Sequence, residues 1–224
     1  MDYSCGNCGK DITNVEAGVC PHCDSEFEIP DKSIPWENRS SLGNVDAFSA
    51  TFMLSMTKPT SFFRRLPEKG GFFNPLIYAL ICGLAGTLID LAWQLLLPSI
   101  GFIEEELQSA DQSDEFYIVF ALLSPLIIPL ALLINTGMLH LSLLLLGVKK
   151  SDFETTFRVI GYGSGANLLV IVPLIGIIVG VIWKLALEVI GLREVYSISS
   201  RRALAAVLLP FLIPMGLLFL SALI

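Results

Sequence analysis

The sequence predicts an all-α polytopic membrane protein of five transmembrane helices, preceded by a small N-terminal domain built around cysteines. Hydrophobic residues make up 54% of the 224-residue chain and charged residues only 16%, whereas an ordinary soluble domain carries about 25% charged residues. Polar residues are concentrated before position 70, and apolar segments follow. This segregation excludes a single soluble globule and divides the chain into a soluble head and a membrane body over residues 71–224.

Five apolar segments are long enough, or nearly so, to form transmembrane helices, which need about 20 residues. They cover residues 72–97, 116–148, 157–172, 175–192 and 203–224. The second segment exceeds the thickness of a bilayer at about 1.5 Å per residue, which predicts a tilt or a kink. The third and fourth segments are short and joined by a Pro-x-x-Gly turn. They form either a full hairpin or a re-entrant one.

Lys and Arg alternate between the gaps that separate these segments. They occur before the first segment, between the second and third, and between the fourth and fifth, whereas residues 98–115 contain none. Because cytoplasmic loops carry the excess of Lys and Arg, the N-terminus is predicted in the cytoplasm and the C-terminus outside. The first 40 residues lack the apolar core of a cleavable signal peptide, so the first span is expected to direct insertion. The predicted location is the cytoplasmic (inner) membrane, as a multi-pass protein.

The N-terminal head, residues 1–27, contains two Cys-x2-Cys pairs formed by Cys5, Cys8, Cys20 and Cys23. Four thiolates at this spacing can surround one Zn²⁺ tetrahedrally, as in a zinc ribbon. Two disulfides or unpaired thiols are the alternatives, and a reducing cytoplasm disfavours disulfides. With four Cys ligands no coordination position stays open, so a structural rather than catalytic zinc is predicted. A head this small cannot build an adequate core, so the metal must supply its folding energy.

The segment between head and membrane divides into a linker and a helix. Residues 28–45 contain prolines and charges and read as a flexible linker. Within the juxtamembrane segment 46–70 and its edge, the residues Val45, Phe48, Phe52 and Met56 recur at three- and four-residue steps on one helical face. This pattern predicts a short helix that lies along the membrane surface or, alternatively, packs against the spans of the protein itself.

Two aromatic residues and two cations follow this helix, just before the first span. Phe62 and Phe63 precede Arg64 and Arg65 directly. Aromatic rings suit the lipid–water interface, and guanidinium groups suit lipid phosphates. The four residues are therefore predicted to contact the lipid interface.

Six polar residues lie within the apolar segments, where an ionisable group costs at least about 2.5–3.5 kcal/mol at the bilayer centre. They are Asp90, Asn135, His140, Asn167, Lys184 and Glu188. One interpretation is a proton or ion pathway; the other is a set of interhelical hydrogen bonds that fix packing. The fifth cysteine, Cys82, is expected to be a buried packing residue. No GxSxG or HExxH motif occurs, and we expect no enzymatic activity.

Several short motifs occur in an order that resembles one membrane family. They are "KPTSFFRRLP" followed by "GGFFNPLIYAL", then "TTFRVIGYGSGANLLVIVPLIG" and "VIWKLALEVIGLREVYSISSRRALAAVLLP". The chain thus resembles the Yip-domain (Ypt-interacting protein) family, from about residue 48 onward, in the form that carries an N-terminal zinc ribbon. The resemblance implies five spans with a cytosolic N-terminus. It also implies a prokaryotic source, where the Rab-type GTPases linked to eukaryotic members are not expected. Relatives often have a proline where Gly165–Asn167 stands here.

The sequence thus favours a non-enzymatic membrane scaffold or adaptor whose cytosolic zinc-binding head recruits a partner. The alternative is a small transporter or channel that uses the buried polar residues, as a homo-oligomer. The expected partners are the lipid bilayer and a cytosolic protein, and no nucleic acid. Geometry discriminates between the two: in a transporter the polar side chains should converge on one cavity, whereas in a scaffold they should scatter into separate helix contacts.

Overall fold

The computed structural model describes residues 7–8, 10, 20, 22–25, 34–67, 69–99 and 114–221, with backbone alone at 98–99, 114–115 and 213–221. The chain separates into two compact units, Met1–Ser33 and Ile34–Ile224. In the larger unit every regular element among the described residues is a helix. The predicted all-helical membrane body is confirmed in this coarse form.

The larger unit begins with four short elements on the N-terminal side of its first long helix. A 3-10 helix, Pro35–Asn38, leads into α1 (Arg39–Leu42), α2 (Asn44–Thr57) and α3 (Pro59–Arg64). Pro59 separates α2 from α3, because proline lacks an amide hydrogen and disfavours helical geometry at the preceding residue. Lys58 accordingly has φ −133° and ψ 55°, and Pro59 opens α3.

The long helices follow. They are α4 (Phe73–Ser99), α5 (Asp114–Leu145), α6 (Phe153–Gly163), a second 3-10 helix (Ser164–Ile171), α7 (Gly176–Tyr196) and α8 (Ser200–Ser221). The start of α6 is capped by Asp152, whose carboxylate accepts a hydrogen bond from the Thr155 amide at 3.1 Å. The end of α7 is a left-handed residue, Ser197, with φ 52°.

Two of the described helices are long and apolar enough to cross a membrane, within Phe73–Leu97 and Phe116–Leu145. The second of these stays helical through both Pro125 and Pro129. Its large apolar side chains are widely exposed, with Leu122 and Leu126 each 74% accessible. In water such a surface would be a liability, whereas in lipid it is the expected outer face.

The predicted third span is not one continuous α-helix. The α-helical part ends at Gly163, and the 3-10 helix that follows packs against α4 and α7. Glycines permit this close packing: a Cβ at Gly161 would lie 2.8 Å from the Pro75 Cβ, and one at Gly176 would lie 2.3 Å from the Leu169 carbonyl oxygen. These glycines thus lie where helical elements approach closely.

The described part of the expected linker is helical rather than flexible. Ile34 and Trp36 are buried, the Trp36 amide donates to the Thr51 hydroxyl at 2.8 Å, and its indole N–H donates to the Asn74 carbonyl at 3.0 Å. The prolines and charged residues of 28–45 suggested a flexible linker. Burial of Trp36 instead holds the described part of this segment against the core. Residues 28–33 lie outside the described residues.

Helix α2 packs on the protein itself, which was the second of the two sequence interpretations. Its buried positions are Ala47, Thr51 and Ser55, with Phe48 and Met56 packed beside them against the core. Val45 is 80% exposed and does not belong to the buried face. The apolar residues chosen from periodicity therefore flank the contact, and small residues form its centre.

Phe62 and Phe63 are not interface residues, and this part of the lipid-contact prediction is wrong. They are 0% and 1% exposed. The Phe62 ring lies edge-on to the Tyr162 ring, with 5.6 Å between the ring centroids. The Phe63 ring packs against Gly191, where an added Cβ would lie 3.2 Å from the ring. Burial in the protein core removes more apolar surface from water than an interfacial position would, so the core is the favoured environment. Arg64 is exposed and Arg65 is partly exposed.

Candidate functional site

Three cysteines of the smaller unit lie close enough together to hold one metal ion. The Sγ atoms of Cys8, Cys20 and Cys23 all lie within 4.8 Å of one another. The Cys8 and Cys20 sulfurs are 3.7 Å apart, which is too far for a disulfide bond of about 2.05 Å. Zinc–sulfur bonds of about 2.3 Å at tetrahedral angles place sulfur atoms about 3.8 Å apart, so this spacing fits Zn²⁺. Cys5, the predicted fourth ligand, lies outside the described residues.

A backbone turn presents the second cysteine pair. The Cys20 amide donates to the Ser25 carbonyl, and the Asp24 amide donates to the Cys20 carbonyl, each at 2.9 Å. Asp24 takes the left-handed conformation at φ 53°. The Ser25 hydroxyl lies 3.0 Å from the Cys23 sulfur, and hydrogen bonding from Ser25 lowers the pKa of the Cys23 thiol. A thiolate is the form that binds metal, so the turn favours the ligand state.

Two adjoining cavities in the larger unit bring five of the six predicted polar residues together. The first cavity has a volume of about 380 Å³ and is lined by Asp90, Asn167 and Lys184. The second, of about 360 Å³, is lined by Asn135, Asn167, Lys184 and Glu188. Four elements contribute these side chains: α4, α5, the second 3-10 helix and α7. Asn167 and Lys184 line both cavities, so the polar residues converge rather than scatter.

Glycines at tight helix contacts border the first cavity. Four glycines line the first cavity: Gly83, Gly86, Gly176 and Gly180. Because glycine has no side chain, the neighbouring elements approach these positions closely: a Cβ at Gly86 would lie 2.9 Å from the Asn167 carbonyl oxygen. The indole N–H of Trp93 donates to the Val170 carbonyl at 3.1 Å, which fixes the 3-10 helix on α4.

The polar side chains differ in how well the described residues satisfy them. Glu188 is 3% exposed and accepts a hydrogen bond from the Asn135 amide nitrogen at 3.0 Å. Lys184 is partly exposed and has neither a hydrogen bond nor an ion pair within 4 Å among the described residues. His140 lies apart from both cavities, with its ring 5.8 Å from the Phe153 ring and its buried Nδ1 without a hydrogen-bond partner in the described part of the chain.

A buried ion pair on α6 was missed by the sequence analysis. Arg158 is 0% exposed, and its guanidinium lies 2.6 Å from a Glu37 carboxylate oxygen that also accepts a 2.6 Å hydrogen bond from the Tyr162 hydroxyl. Arg158 also donates to the Gly71 carbonyl at 3.3 Å. By sequence alone, Arg158 is one of the basic residues near the start of the third apolar segment. The available signal was the i,i+4 spacing of Arg158 and Tyr162 inside an apolar run.

The loop before α4 is held over this pair by a second carboxylate. The Gly70 and Gly71 amides donate to one Glu154 oxygen at 2.8 and 2.7 Å. These two hydrogen bonds lower the pKa of Glu154 below its ordinary value. The loop thus links the end of the short N-terminal helices to the first turn of α6.

One of the two predicted lipid-contact cations, Arg64, lies near the end of α7. Arg64 forms an ion pair with Glu194 at 2.6 Å, and Arg193 also donates to Glu194 at 2.8 Å. Burial raises the pKa of Glu194, but hydrogen bonds from Arg64 and Arg193 outweigh burial and lower it. Arg64 therefore forms an ion pair within the protein, and the contact of Arg64 and Arg65 with lipid stays a prediction.

Comparison with known proteins gives one family. The sequence model of the Yip1 domain matches residues 53–223, well over half of the chain. No curated protein and no solved structure matches the chain significantly.

Proposed function

The chain belongs to the Yip1 domain family, a family of non-enzymatic membrane proteins, and on that premise we propose a membrane scaffold or adaptor with a cytosolic zinc-binding head. The body contacts the lipid bilayer, as expected for this family. The observation that carries the proposal is the grouping of Cys8, Cys20 and Cys23 within 4.8 Å in a unit separate from the helical body. The zinc-bound head recruits a cytosolic protein partner, and the body anchors that partner at the membrane.

The proposed zinc is structural, with Cys5 as the fourth ligand. The smaller unit spans 33 residues, too few for a self-sufficient core, and zinc binding typically contributes about 10–16 kcal/mol in such peptides. Four thiolate ligands leave no open position for substrate. The zinc therefore serves to shape a recognition surface, and no chemistry at the metal is required.

The proposed topology has five spans, with the N-terminus in the cytoplasm and the C-terminus outside. The alternation of Lys- and Arg-bearing gaps along the sequence supports it. Two of the described helices are long and apolar enough to cross a membrane. The second 3-10 helix and α7 form a hairpin of two spans, and α8 forms the last span.

The adaptor proposal is tested by affinity capture from membranes with the full chain, a chain that begins at Ile34, and a Cys20→Ser chain. A set of proteins captured by the full chain and lost from both altered chains supports recruitment through the head. Identical sets from all three chains would remove the adaptor role. Residue accessibility labelling of Lys10 in intact cells tests the orientation, since labelling from outside contradicts it.

A second candidate function is a small transporter or channel, and the convergence of Asp90, Asn135, Asn167, Lys184 and Glu188 on two adjoining cavities supports it. Costly polar groups inside a membrane protein commonly mark a substrate or ion pathway. The test is solute flux into proteoliposomes. Flux that survives the combined replacement of Asp90, Asn167 and Lys184 would exclude this pathway.

A further inference from the structure

We infer that the two polar cavities bind the headgroup of a zwitterionic phospholipid that carries a primary amine. The phosphate would contact Lys184, and the amine would contact the carboxylate of Asp90, which lines the same cavity. This inference names a ligand for the cavities of the second candidate function, and it does not depend on the zinc-binding head.

Lys184 lacks a contacting anion among the described residues. Lys184 faces both cavities but forms no ion pair within 4 Å and no hydrogen bond among the described residues. Glu188 interacts with Lys184 only through longer-range electrostatics, and an ammonium group in a membrane protein without a contacting counter-ion is costly. Glu188, one helical turn further on, is engaged by Asn135 at 3.0 Å. An anionic ligand would supply the missing partner for Lys184, and a phosphate oxygen accepts such a charge-assisted hydrogen bond well.

Two carboxylates border the cavities that Lys184 lines. Asp90 lines the first cavity from α4, and Glu188 lines the second from α7. When both are ionised, the joined cavities hold two carboxylates and one ammonium. A simple anion would be repelled by these carboxylates, whereas a ligand with both a phosphate and an ammonium group complements the Lys184 ammonium and the Asp90 carboxylate.

Exposed apolar side chains form the rim of both cavities. Ile177 and Val181 line the first cavity and are 52% and 56% exposed, and Phe211 lines the second and is 60% exposed. These side chains would face lipid tails in a bilayer. The cavities are thus bordered by an apolar surface along which acyl chains can lie while the headgroup enters between the helices. A soluble metabolite would gain nothing from this rim.

The size and polar content of the cavities also suit a headgroup. Small-molecule sites usually occupy about 300–1,000 Å³ and combine apolar walls with a few placed polar groups. Each cavity falls in this range, at about 380 and 360 Å³. Asn167 lines both, and its amide provides a donor and an acceptor for phosphate or glycerol oxygens. A primary amine donates three hydrogen bonds, whereas a choline headgroup donates none.

The test is lipid binding to the full-length protein, purified in mild detergent, stripped of lipid and monitored by native mass spectrometry. Phosphatidylethanolamine, phosphatidylglycerol and phosphatidylcholine with identical acyl chains are added separately. We expect phosphatidylethanolamine to bind about tenfold or more tightly than the other two, because each of them lacks the donating amine. Soluble glycerophosphoethanolamine should compete only weakly, which separates a lipid from its free headgroup.

Two isosteric variants locate the site. Lys184→Met and Asp90→Asn should each reduce phosphatidylethanolamine binding about tenfold or more, whereas Lys150→Met, at an exposed lysine, should leave it unchanged. Equal binding of the three lipids, or wild-type selectivity in both variants, would overturn the inference. Stabilisation by Na⁺ or K⁺ without lipid selectivity would assign the cavities to a cation instead. The lipid series on the unaltered protein decides the matter even if a variant fails to fold.

This outcome is separable from that of the second candidate function. Lipid selectivity without solute flux supports the lipid site and removes the transporter. Solute flux without lipid selectivity does the reverse.

Discussion

The guanidinium of Arg158 lies 2.6 Å from the carboxylate of Glu37, although 121 residues separate them along the chain. Arg158 is fully buried and Glu37 is 16% exposed at its side chain. The pair joins the first 3-10 helix of the larger unit to α6, and the Tyr162 hydroxyl donates to the same carboxylate oxygen. A segment that composition assigns to a linker is thus attached to the membrane body by a buried charge.

Removing that charge should destabilise the body. Glu37→Gln keeps the size of the side chain but leaves Arg158 without its counter-ion, and loss of one partner of a buried pair typically costs about 3–5 kcal/mol. Thermal unfolding in detergent should show a clear fall in Tm. Asp46→Asn, at an exposed position of α2, is the matched control and should unfold like the wild type. Equal Tm values for the two variants would mean that Arg158 finds another partner.

The loop above the pair leaves no room for a side chain at Gly70. A Cβ there would lie 2.0 Å from Arg158 Nη1, so Gly70→Ala should displace the ion-paired guanidinium and lower the Tm. Gly137→Ala is the control, because nothing lies within 4 Å of a Cβ at that position in α5. Alanine in a helix interior is favoured over glycine by about 1 kcal/mol, so this control should be neutral or stabilising. A larger loss from Gly137→Ala than from Gly70→Ala would contradict the packing described here.

The burial of Phe62 distinguishes a core residue from an interfacial one. Phe62→Ala should destabilise the protein by about 3–5 kcal/mol, the usual cost of a Phe-to-Ala change in a core. Phe73→Ala is the matched change at a side chain that is 64% exposed, and it should cost much less. Unfolding of both variants in the same detergent provides the comparison. Similar losses of stability in the two variants would indicate that Phe62 lies at the lipid interface rather than in the core.

Metal content tests the N-terminal head. The purified protein should contain about one zinc per chain by elemental analysis, as four thiolates in one tetrahedral site require. Cys20→Ser should reduce this to under about half. His22→Ala, at an exposed side chain between the second cysteine pair, and Cys82→Ser, in the buried core of the body, should retain it. Zinc below half an equivalent in the unaltered protein would disprove the structural site.

The Glu154 carboxylate predicts a defined pH dependence. The Gly70 and Gly71 amides depress its pKa below the ordinary value of 4.5, so the folded state binds its proton less readily than the unfolded state. The stabilisation is therefore present above pH 4.5 and is lost as the pH falls through the lowered pKa. The Tm of the wild type should fall more between pH 5 and pH 3 than that of Glu154→Gln. Parallel Tm curves for the two proteins would show that the hydrogen bonds from the Gly70 and Gly71 amides do not depend on the charge of Glu154.

The coarse fold and most of the candidate site residues could be predicted from local signals. Long apolar runs predict transmembrane helices, because backbone N–H and C=O groups in hydrocarbon must form hydrogen bonds within their own segment and a helix satisfies them. The spacing of Cys8, Cys20 and Cys23 predicts sulfur atoms near a common centre, and the structure places these three within reach of one metal ion. Local patterns could not assign Phe62, because hydropathy is the same for a ring that faces lipid and a ring that faces Tyr162.

The sequence by itself determined that this chain is a helical membrane protein with a cysteine-bearing head, because hydropathy and ligand spacing act over a few neighbouring residues. Only the tertiary structure decided which polar groups meet. Arg158 and Glu37 pair across the chain, and Asp90, Asn167 and Lys184 come from three elements to line one cavity. Such contacts depend on how helices rotate and pack against one another, and that rotation is set by the combined fit of many side chains rather than by any one segment.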